Sequence, residues 1–118
     1  MAVTHPTTVR NGIADHVVTQ INTGGAGTIE FQTAASAVIA TLTFATDAFL
    51  DAANGVAAAA AIGDDTDTEP GTVTKFVVKS GAGTTIFQGD VTDTATGTGD
   101  IILSSVIIGD GDTISISA

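Results

Sequence analysis

The sequence predicts a mainly β protein, an antiparallel β-sandwich of the jelly-roll kind preceded by one amphipathic helix. Three observations lead to this prediction. Hydrophobic residues make up 43% of the chain, chiefly Ala, Val and Ile, with five Phe and no Trp or Tyr; such small and β-branched side chains suit a pleated sheet. Segments that alternate with period two recur after residue 28. Turn residues separate these segments at intervals of roughly ten residues, a spacing typical of sandwiches and jelly rolls.

The length of 118 residues predicts a single domain over 1–118, with no linker and no internal repeat. The helix is expected at about 8–23 and the strands from about 28 to 117.

The helix is predicted from apolar residues that recur every four positions: Val9, Ile13, Val17 and Ile21, with Val18 widening the stripe. Thr7 or Thr8 is expected as the N-cap, and Gly24-Gly25 follows the last turn, where a left-handed residue is favoured. We expect the stripe to pack on the chain's own sheet, because a sandwich short of large side chains needs that apolar area. The alternative is that the stripe forms an oligomer seam.

The first two strands have the clearest alternation. Residues 28–33 place Ile29 and Phe31 on one face. The second strand, 38–44, is expected to point four side chains inward: Val38, Ala40, Leu42 and Phe44.

The middle of the chain is less regular. Residues 47–54 are predicted as a connector with room for one helical turn, and Asn54-Gly55 is a strong turn signal. Residues 56–62 contain five consecutive Ala, which favour a helix, but the short run between a turn and an acidic loop favours a strand.

The second half predicts further strands. Residues 72–79 and 84–88 form a hairpin around the turn at 80–83. A Thr- and Gly-rich loop at 93–99 precedes a long apolar strand at 100–108. A tight turn at 109–112 then leads to an alternating strand at 113–117.

The charge balance excludes several partners. The chain has 13 acidic residues, three basic ones and a net charge of −10. Nucleic-acid binding requires clustered Lys or Arg to displace phosphate counterions, and an anionic membrane surface repels such a chain. We therefore predict no nucleic-acid partner and no membrane partner, and the acidity favours solubility or a basic protein partner.

Cysteine is absent, so the chain has neither a disulfide framework nor a thiolate metal site. The longest uncharged apolar run, 56–63, is much shorter than the ~20 residues that span a bilayer. No basic-then-apolar signal pattern opens the chain. A bacterial or viral cytoplasmic origin is expected.

The pattern of reactive side chains predicts no enzyme. His5 lies in the N-terminal tail, His16 lies on the helix face away from the apolar stripe, and no Gly-x-Ser-x-Gly elbow is present. The carboxylates of residues 64–69 lack the Trp or Tyr platform that sugar chemistry uses. The Gly-rich stretches 24–27 and 81–83 lack the order and the Lys of phosphate-binding loops and are predicted as turns. We predict no catalytic, cofactor-binding or metal-binding residues.

Calcium is the one alternative for the acidic loop. Asp65, Asp67 and Glu69 place oxygen ligands at alternate positions, as hard-cation loops do. The loop lacks the central Gly and the distal Glu of the helix–loop–helix motif, and Asp110-Gly111-Asp112 is a weaker version of the same pattern. A plain solvated loop is favoured.

Several segments, in their order, resemble a family of small virion proteins of tailed bacteriophages that are encoded among head genes. They are residues 8–15, 40–44, 47–49, 53–56, an Ala-rich run ending at Ile62, 71–72, 76–78, 83–85, 89–91 and 107–116. Each segment is low in information, but together they cover most of the chain.

The resemblance implies a capsid decoration, or cement, protein: a dimeric or trimeric β-sandwich on the outer surface of an icosahedral head that clamps neighbouring major capsid proteins. A neck or tail component with the same sandwich is the nearest alternative. A calcium- or carbohydrate-binding adhesin-type module is a more distant one.

Overall fold

The structure of the protein, a computed structural model, describes residues 3–115. Its elements, in chain order, are α1 (Thr7–Ile21), β1 (Thr28–Gln32), β2 (Val38–Thr43), β3 (Gly71–Thr72), β4 (Lys75–Lys79), β5 (Thr85–Asp93), β6 (Ile101–Leu103) and β7 (Ile107–Ile108). The end of the strand predicted at 113–117 lies outside the described residues. Within residues 3–115, no helix is long and apolar enough to cross a membrane.

The prediction of a mainly β chain with one N-terminal helix is confirmed. Five strands form one sheet in the order β2-β1-β4-β5-β6, and β3 and β7 form a separate pair. The sheet is mixed, because β6 runs parallel to β5 while the other neighbours are antiparallel.

The path of the connection between β5 and β6 explains why these two strands are parallel. Residues 94–100 fold back along β5, held by backbone N–H groups that donate to side chains: Gly99 to Thr92 Oγ1 at 3.0 Å and Asp90 to Asp100 Oδ2 at 3.1 Å. The chain therefore re-enters the sheet in the same direction in which it left. Parallel strands usually need a crossover of a dozen or more residues, so turn spacing alone predicted antiparallel neighbours.

One face of the sheet builds the core. Ile29 and Phe31 are buried on β1, as predicted, and lie opposite Val78 and Phe76 of β4. The core is completed by buried residues from outside the five-stranded sheet: Ile21, Phe44, Ala48, Val73, Ile108 and Ile114. The opposite, outer face carries the polar side chains of the same strands.

The prediction of which β2 side chains point into the core is wrong at one position. Ala40, Leu42 and Phe44 are buried, but Val38 is 43% exposed and Ile39 is buried in its place. A β-bulge at this end of the β1–β2 pair shifts the register, which reverses the face of the strand's first residues.

Two predicted long strands are interrupted. Residues 72–79 divide into β3 and β4 at Val73, whose N–H donates to the Val106 carbonyl at 2.8 Å. Residues 100–108 divide into β6 and β7. Each run therefore contributes to both sheets, a division that apolar content does not reveal.

Residues 43–63 form an irregular hairpin arm that extends from β2. Asn54 and Gly55 both have positive φ, 53° and 78°, and connect Ala53 to Val56 by two backbone hydrogen bonds of 2.9 Å, as in a type I′ turn. The turn prediction is confirmed. The predicted strand at 56–62 exists only as isolated bridges at Val56, Ala59 and Ile62, and no helical turn forms at 47–54.

The helix begins without the predicted Thr cap. Pro6 is the N-cap, no side chain caps the first turn, and Thr7 and Thr8 lie inside the helix. After the helix, Gly24 adopts a φ of 84°, as expected for a left-handed residue.

The two Gly-rich turns pack against each other, which explains their composition. A Cβ on Gly81 would lie 2.6 Å from the Gly25 backbone, and the Gly81 and Ala82 N–H groups donate to the Ile21 and Thr23 carbonyls at 3.3 and 3.1 Å. Only residues without a Cβ allow backbones to approach this closely. The end of α1 is therefore joined to the β4–β5 hairpin.

Candidate interaction surfaces

One face of α1 is polar, and it binds the backbone of the hairpin arm. Three side-chain oxygens each accept one backbone N–H: Asn11 Oδ1 from Gly55 at 2.7 Å, Asp15 Oδ1 from Ala52 at 3.0 Å and Asn22 Oδ1 from Ala48 at 3.0 Å. The spacings of four and seven residues place these acceptors on one helix face. The arm therefore runs antiparallel to α1, and otherwise unpaired N–H groups are satisfied by the helix.

This docking turns the predicted apolar stripe partly outward. Ile21 is buried and Val17 packs at the edge of the core, as expected, but Val9 and Ile13 are 44% and 55% exposed. Residues four apart advance by about 40° around a helix of 3.6 residues per turn, so the four-residue stripe winds from the surface into the core. The expectation that the whole stripe packs on the chain's own sheet is wrong for its first half.

The acidic segment 64–69 is docked and is not a freely solvated loop. Asp65 pairs with Ile114 through two backbone hydrogen bonds, and its Oδ2 accepts the Thr41 N–H at 2.8 Å on the outer edge of β2. The Glu69 N–H donates to the Ile39 carbonyl at 2.9 Å. Charge alone predicted solvation here, but the segment covers backbone groups of the β2 edge.

Thr68 is the buried anchor of this segment. Its side chain is fully buried, and its Oγ1 lies 2.9 Å from the Gly109 carbonyl and 3.0 Å from the Asp112 carbonyl. The two acidic turns that suggested calcium are thereby brought together. Among residues 3–115, no three His, Asp or Glu side chains converge as a metal site would require.

The outer face of the sheet carries both lysines. Lys79 Nζ lies 3.1 Å from Glu30 Oε2, and Lys75 Nζ donates to Ser36 Oγ at 2.6 Å. Val77 is buried between the polar side chains of this face. Two of the three cations of the chain therefore lie on one strand, beside the Glu30 carboxylate of β1.

A cavity of about 430 Å³ lies beside β6 and the turn after β7. Its lining consists of Ile102, Leu103, Ser104, Ser105, Ile107, Ile108, Asp112, Thr113, Ile114 and Ser115. The Asp112 carboxylate already accepts the Gly109 N–H at 2.7 Å. No His, Lys or Arg belongs to this lining, so Asp112 is its one titratable side chain.

The candidate reactive side chains do not assemble. His5 and His16 are both exposed and lie on the tail and on the helix surface. In the described part of the chain, the exposed large hydrophobic side chains are Val3, Val9, Ile13, Val38, Leu50, Val56, Phe87, Ile102 and Ile107. A contiguous patch of such residues is typical of contact with another macromolecule, whereas single exposed apolar side chains occur on most soluble proteins.

No model of a protein family matches the chain, no curated protein matches it, and no solved structure matches its fold. The surfaces described above are therefore the basis for a functional proposal, together with the sequence pattern.

Proposed function

We propose that this chain is a structural protein of a bacteriophage virion, a capsid decoration (cement) protein that bridges major capsid proteins on the outside of the head. The observation that carries the proposal is the exposure of branched apolar side chains on several separate elements: α1, the hairpin arm, β6 and β7. A subunit that clamps neighbours needs several contact surfaces.

The distribution of charge supports an outer position. With a net charge of −10, the chain is repelled by packaged DNA and attracted to basic ridges of a capsid protein, and a neutral ridge does not repel it. Synthesis in the cytoplasm of a bacterial host and assembly onto the virion surface belong to the same proposal.

The proposal includes the finer architecture, a jelly-roll-like β-sandwich. In this proposal the five-stranded sheet is one layer, and the β3–β7 pair together with the hairpin arm and α1 serves as the other; the separate β3–β7 pair supports it. Sandwich subunits present broad faces and edges to neighbours, which suits a protein that adds contact area.

The proposed role is not enzymatic and uses no cofactor. Resistance to internal pressure requires interface area and no reactive group. The exposed, separated histidines and the cavity lined by Ser and Ile agree with such a role.

Two alternatives predict different partners. A neck or tail component would use the same surfaces in a single ring. An adhesin-type module would bind calcium or sugar, but Asp65 already gives both carboxylate oxygens to the Thr41 and Asp67 N–H groups, and the chain has no Trp or Tyr for sugar stacking.

The test is a binding experiment with purified protein and undecorated heads of the phage that encodes it. Bound copies are counted by quantitative gel analysis and located by cryo-electron microscopy. We expect a copy number that matches the surface lattice of the shell. A count that matches one ring at a vertex favours the neck alternative, and an absence of binding to heads, necks and tails contradicts the proposal.

A further inference from the structure

We propose that residues 63–69, here called the edge cover, prevent the outer edge of β2 from pairing with β2 of another copy of the chain. Asp65 and Thr68 are the two residues that hold the edge cover in place. The inference assigns a protective function to the acidic segment, and it does not depend on the proposed role in a virion.

β2 is the outermost strand of the five-stranded sheet, and β1 is its neighbour there. The Phe44 N–H donates to the Gly27 carbonyl at 2.9 Å on the β1 side. Because backbone direction alternates along an antiparallel strand, the N–H and C=O groups of Thr41 and Thr43 point away from the sheet. An edge with such outward groups is a template for the strand of another chain.

The sequence of β2 carries none of the usual protections of an edge strand. Natural edges are protected by charged side chains, by Pro or by very short strands, but residues 31–46 contain no charged residue, no Pro and no Gly, and β2 is six residues long. Uncharged β-prone segments of about six or seven residues pair with identical segments of other chains. The partner that an uncovered β2 selects is therefore a second copy of itself.

The edge cover contacts the outward backbone groups of β2 at three alternate residues. These contacts are the Gly63 N–H to the Thr43 carbonyl at 2.8 Å, the Thr41 N–H to Asp65 Oδ2 at 2.8 Å and the Glu69 N–H to the Ile39 carbonyl at 2.9 Å. A carboxylate accepts hydrogen bonds but donates none. Asp65 therefore satisfies the edge without continuing the sheet.

The edge cover is also fixed on its other side. The buried Thr68 Oγ1 lies 2.9 Å from the Gly109 carbonyl and 3.0 Å from the Asp112 carbonyl. The backbone of Asp65 exchanges two hydrogen bonds with Ile114. The edge cover therefore connects the β2 edge to the turn after β7, and Thr68 is its anchor.

The edge cover supplies the charge that β2 lacks. Asp64, Asp67 and Glu69 are exposed, and among residues 3–115 the one salt bridge joins Lys79 to Glu30 on β4 and β1. A second copy that approaches the β2 edge brings the same carboxylates with it, and like charges directly opposite each other oppose strand pairing. Occupation of the edge and repulsion both act against association, and suitable variants separate them.

The experiment releases the edge cover with the double variant Asp65→Ala, Thr68→Val, which removes the acceptor of the Thr41 N–H and the buried hydroxyl. Asp67→Ala, Thr66→Val is the matched control, because it makes the same changes of composition and charge at exposed positions. We expect the released variant to form assemblies that bind thioflavin T at a concentration about tenfold or more below that of the wild type, as for the loss of a modest contact.

The matched control should behave as the wild type does. Asp65→Ala alone, which leaves the Thr68 anchor intact, should show the same change as the released variant to a smaller extent. Equal assembly of the released variant and the matched control would mean that the lost charge is responsible. That result, or a released variant that stays as dispersed as the wild type, overturns the proposal.

Ile21→Ala is the control for general destabilisation, because it removes a buried core side chain and no contact of the edge cover. Assembly of Ile21→Ala at the same concentration as the released variant overturns the proposal, since partial unfolding then accounts for it. Hydrogen exchange locates the contact. We expect the Thr41 amide to exchange faster in the dilute released variant than in the wild type and to be protected again in the assemblies; a Thr41 amide that stays unprotected there shows association elsewhere and contradicts the proposal.

Discussion

The side-chain Oδ1 of Asn11 accepts a 2.7 Å hydrogen bond from the backbone N–H of Gly55, 44 residues further along the chain. Asp15 and Asn22 accept backbone N–H groups of the hairpin arm in the same way. Together the three hydrogen bonds orient α1 on the arm. The helix therefore binds the arm through polar side chains and leaves Val9 and Ile13 exposed, while Ile21 at its end is buried in the core.

Removal of the Asn11 acceptor should loosen the hairpin arm. We expect Asn11→Ala to lower the free energy of unfolding by about 1 kcal/mol, the net value of a typical hydrogen bond, and to speed hydrogen exchange at the Gly55 amide. Asn11→Asp is the control, since it keeps an acceptor oxygen in place. Equal exchange rates in the two variants would show that the contact does not hold the arm.

Gly55 and Gly12 should respond in opposite ways to the same substitution. Gly55→Ala places a side chain at φ 78° with its Cβ 3.0 Å from Arg10 Cβ, and left-handed backbone costs an L-residue about 1–2 kcal/mol. Gly12→Ala meets no atom and should stabilise the subunit by about 1 kcal/mol through helix propensity. Urea melts of the isolated subunit measure both, and a destabilising Gly12→Ala would contradict the surface position of this residue.

Thr68 should be the most sensitive polar residue of the acidic segment. Thr68→Val keeps the volume but leaves the Gly109 and Asp112 carbonyls without their buried hydroxyl, which costs about 1–3 kcal/mol. Thr66→Val, at an exposed neighbour, should change stability very little. Thermal unfolding of the two variants is the measurement, and equal melting temperatures would mean that the segment does not depend on this anchor.

The two ends of the helix stripe should differ in their contribution to stability. Ile21→Ala removes a side chain that is 1% exposed, and buried Ile-to-Ala changes cost about 2–5 kcal/mol. Ile13→Ala, at a position that is more than half exposed, should cost within about 0.5 kcal/mol, as surface changes usually do. Chemical denaturation at low protein concentration separates these effects from association. An equal loss of stability at both sites would show that the whole stripe packs on the chain's own sheet.

Local pattern was sufficient where a segment's own residues decide its structure. The alternation of β1 predicted the burial of Ile29 and Phe31, and Asn54-Gly55 predicted its turn, because side-chain period and positive φ are properties of a few adjacent residues. The prediction for Val38 is wrong because a bulge depends on the partner strand. The acidic segment was predicted to be solvated because its charge follows from residue type. The sequence does not indicate that the Thr41 N–H, which donates to Asp65, lies beside this segment.

The sequence alone determined the β-rich class, the single N-terminal helix, the glycine turns and the acidity of the surface, because each follows from residue type or short-range spacing. Only the tertiary structure decided which side of α1 faces inward, which strands lie side by side and where the acidic turns meet. Those features depend on backbone N–H groups that become available or satisfied only when distant segments come together. The exposure of Val9 and Ile13 is one such outcome, because Asn11 and Asp15 of the same helix bind the distant hairpin arm.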